Sequence, residues 1–200
     1  MTTVVWDGKK RKVMSGDTRL TGNMILRVYD DESLDTKIFT PDTPVIYESS
    51  PIIAVGTAGH GPLVDSWKDF LFAAPRTIAS LKSLVLSTTT STPATQSLLI
   101  LTTEKCWQVD WKAGFFSSTC VTDESAAIGS GASFASRRVE RFGGIVAIIR
   151  AARCDHEQAT NTRITQVQQH LDAKWRSVEP SELLKAKIVE MFLHCVGVRR

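Results

Sequence analysis

The most constraining stretch of this 200-residue chain is Pro51 to Gly56, reading Pro-Ile-Ile-Ala-Val-Gly. It is a continuous apolar run of strand length, and such a run fits a buried strand. Gly56, Gly59 and Gly61 crowd the turn behind it. Helical spacing follows at once, with Leu63, Trp67, Phe70 and Leu71 sharing one face at i, i+4, i+7 and i+8. A second helix is expected over residues 75–86.

Other segments arrange themselves around this strand–turn–helix unit. Thr2 to Trp6 is β-branched and aromatic and reads as a strand. Asp7-Gly8 is a hairpin-type turn signal, so a strand over Lys12 to Ser15 returns antiparallel and ends at Gly16-Asp17-Thr18-Arg19. Residues 20–34 read as a loop with a short strand near Met24 to Val28, and Thr36 to Phe39 as another short strand. Ser87 to Ser97 is dominated by Ser and Thr and reads as an exposed loop. Ser97 to Thr103 and Cys106 to Trp111 form two strands around a Glu104-Lys105 turn.

After Ala126 to Ser130, the residues Ala135, Val139, Phe142, Val146 and Ile149 step by four and three along one long helical pattern. Gly143-Gly144 interrupts that pattern at about 1 kcal/mol each relative to Ala, and close packing explains such a pair. Thr162 to Gln168 reads as a strand. Ser181 to Cys195 reads as a helix with Leu184, Ile188, Phe192 and Cys195 on one side and Pro180 in its first turn. Strands clustered between helical pairs imply an α+β layered sandwich in one domain, 1–200.

Composition excludes more than it suggests. A formal charge of +3, with 42% hydrophobic and 22% charged residues, is ordinary for a globular chain and too balanced to imply nucleic-acid or membrane binding. No apolar run approaches the roughly 18 residues of a membrane span. A secretory signal is not evident in residues 1–20, so a cytoplasmic location is expected. Cys106, Cys120, Cys154 and Cys195 have no C-x-x-C spacing and are expected to be reduced. No metal site and no cofactor are expected. Cys154-Asp155-His156 reads as a thiol beside a loop histidine.

Several blocks stand in an informative order. Thr2-Thr3-Val4-Val5 opens the chain behind Met1, and Gly16-Asp17-Thr18-Arg19-Leu20-Thr21 follows. Then come Thr36-Lys37-Ile38, Ile53-Ala54-Val55-Gly56-Thr57-Ala58-Gly59 and Ala127-Ile128-Gly129-Ser130-Gly131. Taken singly, each has an ordinary structural reading. Together, over residues 2–155, they resemble the proteasome β-subunit family, most closely its bacterial branch, the HslV peptidase subunit, and phage-encoded relatives.

The resemblance implies a four-layer α/β/β/α sandwich of the N-terminal-nucleophile (Ntn) hydrolase type and a threonine endopeptidase. It implies that Met1 is removed without a propeptide, leaving Thr2 as both nucleophile and free α-amine. Lys37 would lower the amine's pKa, Asp17 would hold Lys37, and Ser130 would bond near the amine. The turn at Ala58 and Gly59 would stabilise the oxyanion. Arg19, Gly129, Gly131 and Asp155 would support the site, although Gln158 stands where the family has a hydroxyl. Partners implied are further copies of the chain in a ring, polypeptide substrates and an AAA+ ATPase unfoldase, in the host cytoplasm for a phage protein. Two other readings remain open: a scaffold or virion component that has lost activity, and an Ntn amidohydrolase acting on a small amide.

Overall fold

A computed structural model describes residues 3–18, 37–59, 61–87, 95–112, 115–154, 163–170 and 176–196. Among these, the chain order is β1 (Thr3–Asp7), β2 (Val13–Asp17), β3 (Ile38–Phe39), β4 (Ile46–Tyr47), β5 (Ser50–Gly59), α1 (Gly61–Ala73), α2 (Ile78–Ser87) and β6 (Thr95–Thr102). There follow β7 (Cys106–Lys112), β8 (Phe115–Cys120), β9 (Ser125–Gly129), α3 (Ala132–Phe142), α4 (Gly144–Cys154), β10 (Ile164–Gln168), β11 (Arg176–Ser177) and α5 (Pro180–Cys195). The strands form two antiparallel sheets, β11-β10-β2-β1-β9 and β3-β5-β6-β7-β8, with β4 also paired to β5. The fold class is α+β, as the sequence implies.

The period of two along each strand sorts the apolar residues into three clusters. In β1, Val4 and Trp6 point into one cluster and Val5 into another. In β6, Leu99 and Leu101 take one side and Leu98 and Ile100 the other. The first cluster joins the two sheets: Val4, Trp6, Met14, Ile128 and Val167 from one, and Ile38, Ile53, Ala54 and Leu99 from the other. In the second, Trp67 and Leu71 of α1 and Leu81 of α2 pack on Val55, Ile100 and Val109. In the third, α3 and α4 lay Ala135, Val139, Val146, Ala147 and Ile148 against Val5 and Ile164. Each fully buried large apolar side chain contributes roughly 1.5–3 kcal/mol.

The long pattern after Gly131 is two helices rather than one. Gly143 has φ +91°, a backbone conformation that ends α3, and α4 restarts at Gly144. A Cβ on Gly144 would lie 2.5 Å from Ser15 Oγ, so the glycine lets α4 sit directly on β2. The apolar stripe survives the break, because Ala135, Val139, Val146 and Ile149 all reach the same cluster.

Three other differences have local causes. The strand after the Ser/Thr-rich stretch begins at Thr95, with Gln96 already buried; residues 88–94 lie outside the described residues. β2 runs through Asp17 because Ile164, at the start of β10, pairs opposite it. β8 was not read at all, since Phe-Phe-Ser-Ser-Thr-Cys lacks alternation; it is the edge strand beside β7. The strand expected near Met24 to Val28 lies outside the described residues. No described helix is long and apolar enough to cross a membrane.

Candidate functional site

The termini of several strands meet at one end of the molecule. Thr3 at the start of β1 stands opposite Gly129 at the end of β9, and Val4 stands opposite Gly16. On the other sheet, Ile38 stands opposite Gly56. The sheets touch at these small residues: a Cβ on Gly56 would lie 2.7 Å from Val4 Cγ1, and one on Gly16 would lie 3.2 Å from Ile38 Cγ1. Thr3, Asp17, Lys37 and Thr57 are the immediate chain neighbours of Val4, Gly16, Ile38 and Gly56. The crossing of the two sheets thus brings β1's start, Asp17, Lys37 and the end of β5 together.

Asp17 is fully buried, and the Thr3 backbone N–H donates to its Oδ1 at 2.9 Å. A buried carboxylate is tolerated only when hydrogen-bonded or paired. The sequence resemblance linked Asp17 with Lys37; it did not anticipate that the carboxylate would clamp the chain one residue after Thr2. Lys37 is also buried, and its carbonyl accepts the Thr57 N–H at 3.0 Å. This bond ties Lys37 to β5 two residues before Gly59.

Ala58 is buried and Gly59 is exposed at the end of β5. Gly59 has φ +143°, which L side chains rarely adopt. Any Cβ there would overlap the Thr95 carbonyl and the Gln96 side chain. Gln96, cross-strand from Gly59, is 1% exposed, and neither its Oε1 nor its Nε2 has a hydrogen-bond partner among the described residues. Such a group costs about 1–3 kcal/mol when buried unsatisfied. Sequence reading missed Gln96 because the Ser/Thr-rich run around it masked the strand. Thr57 stands in the Ile53–Gly59 block, but its backbone bond to Lys37 was not foreseen.

Ser130 is half-buried just beyond Gly129, and Gly131 is buried where α3 begins. The Gly131 carbonyl accepts the N–H groups of Phe134 and Ala135 at 3.1 and 3.0 Å, which starts the helix. Of the remaining candidates, Thr2, Arg19 and Asp155 lie outside the described residues. A cavity of about 500 Å³ opens next to Lys37, lined by Ile38, Phe39, Asp42, Lys68, Asp69 and Phe72. The Lys68 ammonium stands 5.3 Å over the Phe39 ring there.

Among the described residues, no group of three His, Cys, Asp or Glu side chains could hold a metal ion. The cysteines are free thiols, and burial pushes the Cys106 thiol well up from its ordinary value. Comparison with family models gives no match, and comparison with curated proteins gives none.

Proposed function

We propose that this chain is a threonine-type N-terminal-nucleophile peptidase of the proteasome β-subunit kind, closest to the bacterial HslV subunit. The observation that carries the reading is the hydrogen bond from the Thr3 N–H to the buried Asp17 carboxylate. It fixes the start of β1 beside the segment that carries Lys37. The three apolar clusters support a four-layer α/β/β/α arrangement: α1 and α2 cover one sheet, α3 and α4 cover the other, and the sheets face each other.

In this reading removal of Met1 exposes Thr2 as the N-terminus. A Thr hydroxyl is a weak nucleophile until a base takes its proton. The α-amine of Thr2 is that base, with an unperturbed pKa of roughly 7.7–8.0. The Lys37 ammonium disfavours a second positive charge nearby and lowers that value. Thr2 Oγ attacks the scissile carbonyl and its proton passes to the amine. The oxyanion is held by the N–H at the Gly59 turn, an interaction worth about 3–4 kcal/mol in comparable sites. The tetrahedral species collapses to an ester on Thr2, and the leaving amine takes the proton. Water then hydrolyses the ester by the same route. Asp17 fixes Lys37, and Ser130 orients the amine. Arg19, Gly129, Gly131 and Asp155 shape the surroundings. Copies of the chain would enclose the sites in a ring, fed with unfolded polypeptide by an AAA+ ATPase, in the cytoplasm.

The test is intact-mass analysis of the purified protein together with peptide hydrolysis by wild type and Thr2→Ala. The expected result is loss of Met1, activity in wild type and none in the variant. An active protein that retains Met1, or full activity in Thr2→Ala, overturns the mechanism.

A further inference from the structure

The C-terminal helix carries its apolar row on the side away from the core. In α5 the buried residues are Ala186, Glu190 and Leu193. The opposite face exposes Leu184 at 60%, Ile188 at 52%, Met191 at 58% and Phe192 at 63%, with Val196 at 53% just beyond. Leu184, Ile188, Met191 and Cys195 repeat with spacings of four, three and four, the seam pattern of paired helices. The helix cannot roll to bury this row. The Glu190 carboxylate, 2% exposed, lies 3.8 Å from Arg138 Nε of α3 and 3.3 Å from Arg150 Nη1 of α4. Turning α5 over would carry that carboxylate away from both arginines, of which Arg138 is buried and Arg150 partly exposed.

We propose that this face is an interface between two copies of the chain, with α5 packed antiparallel on its symmetry mate. The exposed apolar surface of the row amounts to roughly 600 Å² per copy. That is at the upper limit for the largest patch of a monomer and close to the roughly 800 Å² per partner of a stable interface. The two-fold arrangement uses one self-complementary patch on both copies. The charges select the antiparallel sense. A crossing centred on Ile188 sets Lys185 of one copy beside Met191 of the other, while Glu182 stays paired with Arg176 of its own chain. A parallel pair would instead align Lys185 with Lys185 and Lys187 with Lys187. Antiparallel helices also oppose their dipoles favourably. This interface is independent of the peptidase reading.

The test measures particle mass by size-exclusion chromatography with light scattering, for the full chain and for Ile188→Glu. A residue that is half exposed in the free chain tolerates the change, so an unaltered circular dichroism spectrum is expected. The mass should fall to half that of the wild-type particle. In a second variant, Ile188→Cys with Cys120 and Cys195 changed to Ser, mild oxidation should link two copies through residue 188, which lies on the two-fold axis. A monomeric wild type at 100 μM, equal masses for wild type and Ile188→Glu, or a failure of the Ile188→Cys variant to cross-link overturns the proposal. Binding of monomeric protein to anionic vesicles or to another chain, in place of self-association, overturns it equally.

Discussion

Asp17 offers the sharpest perturbation, because two substitutions separate its hydrogen bond from its charge. In Asp17→Ala the buried Thr3 N–H loses the acceptor that stands 2.9 Å away. An orphaned buried donor costs about 1–3 kcal/mol. For a chain of this length each kcal/mol shifts Tm by about 2–4 °C, so a fall of about 2–12 °C is expected. Asp17→Asn keeps an oxygen in the same place for the Thr3 N–H, so that this bond loses on the order of 1 kcal/mol of charged-acceptor strength. Its Tm should fall less than that of Asp17→Ala. Activity should not follow stability. If the carboxylate charge holds Lys37 against the Thr2 amine, both variants lose the acid–base contribution, about 10²-fold or more in kcat. The assay pairs thermal denaturation, read as Tm, with peptide hydrolysis across pH. A fully active Asp17→Asn enzyme refutes the role of the charge. An undestabilised Asp17→Ala protein refutes the clamp on β1.

Gly56→Ala should destabilise by about 1–3 kcal/mol, because its methyl would sit 2.7 Å from Val4 Cγ1 and 3.0 Å from Met14 Sδ. Calorimetry showing an unchanged Tm would mean that the sheets can move apart there. Gln96→Met should raise Tm by about 2–4 °C, since it removes two unpartnered buried polar atoms at nearly constant shape. A loss of stability would reveal a partner for that amide. Iodoacetamide should label Cys120, which is exposed, and spare Cys106, which is buried with its thiol pKa pushed up, until the protein unfolds. Mass spectrometry of tryptic peptides reads the order, and early labelling of Cys106 would contradict the burial.

What the sequence discloses depends on whether a residue's partner is near in the chain or distant. The β1–β2 hairpin was legible because its turn and its alternation are local; its register, Val4 opposite Gly16 with Asp7 opposite Val13, is set by the structure. The apolar stripe from Ala135 to Ile149 was legible for the same reason. The break inside it was visible as a glycine pair, but not as a change of helix: α3 ends at the positive φ of Gly143, and the close contact that needs Gly144 is with Ser15, more than a hundred residues away. The candidate residues could be named one by one from their order. The Thr3–Asp17 bond continues the β1–β2 register and the Lys37–Thr57 bond continues the β3–β5 register; what only the tertiary structure adds is the contact of Gly16 with Ile38 that sets one sheet beside the other. Gln96 was hidden because its meaning lies entirely in the turn it faces across the sheet.

α5 makes the same point about direction. Helical spacing identified the row Leu184, Ile188, Phe192 and Cys195 and put it on one face, and the structure keeps it on one face. Periodicity does not say which way such a face turns. The usual inference, that the apolar side meets the core, fails here because the opposite side carries Glu190, and two arginines from α3 and α4 wait for it. A buried carboxylate between two guanidinium groups is costly to break, about 3–5 kcal/mol when one partner is removed, whereas partly exposed leucine and phenylalanine side chains each forgo less. The polar contact, with Ala186 and Leu193 buried on the same side, holds the helix in this orientation. The apolar row, left outside, becomes available to another molecule.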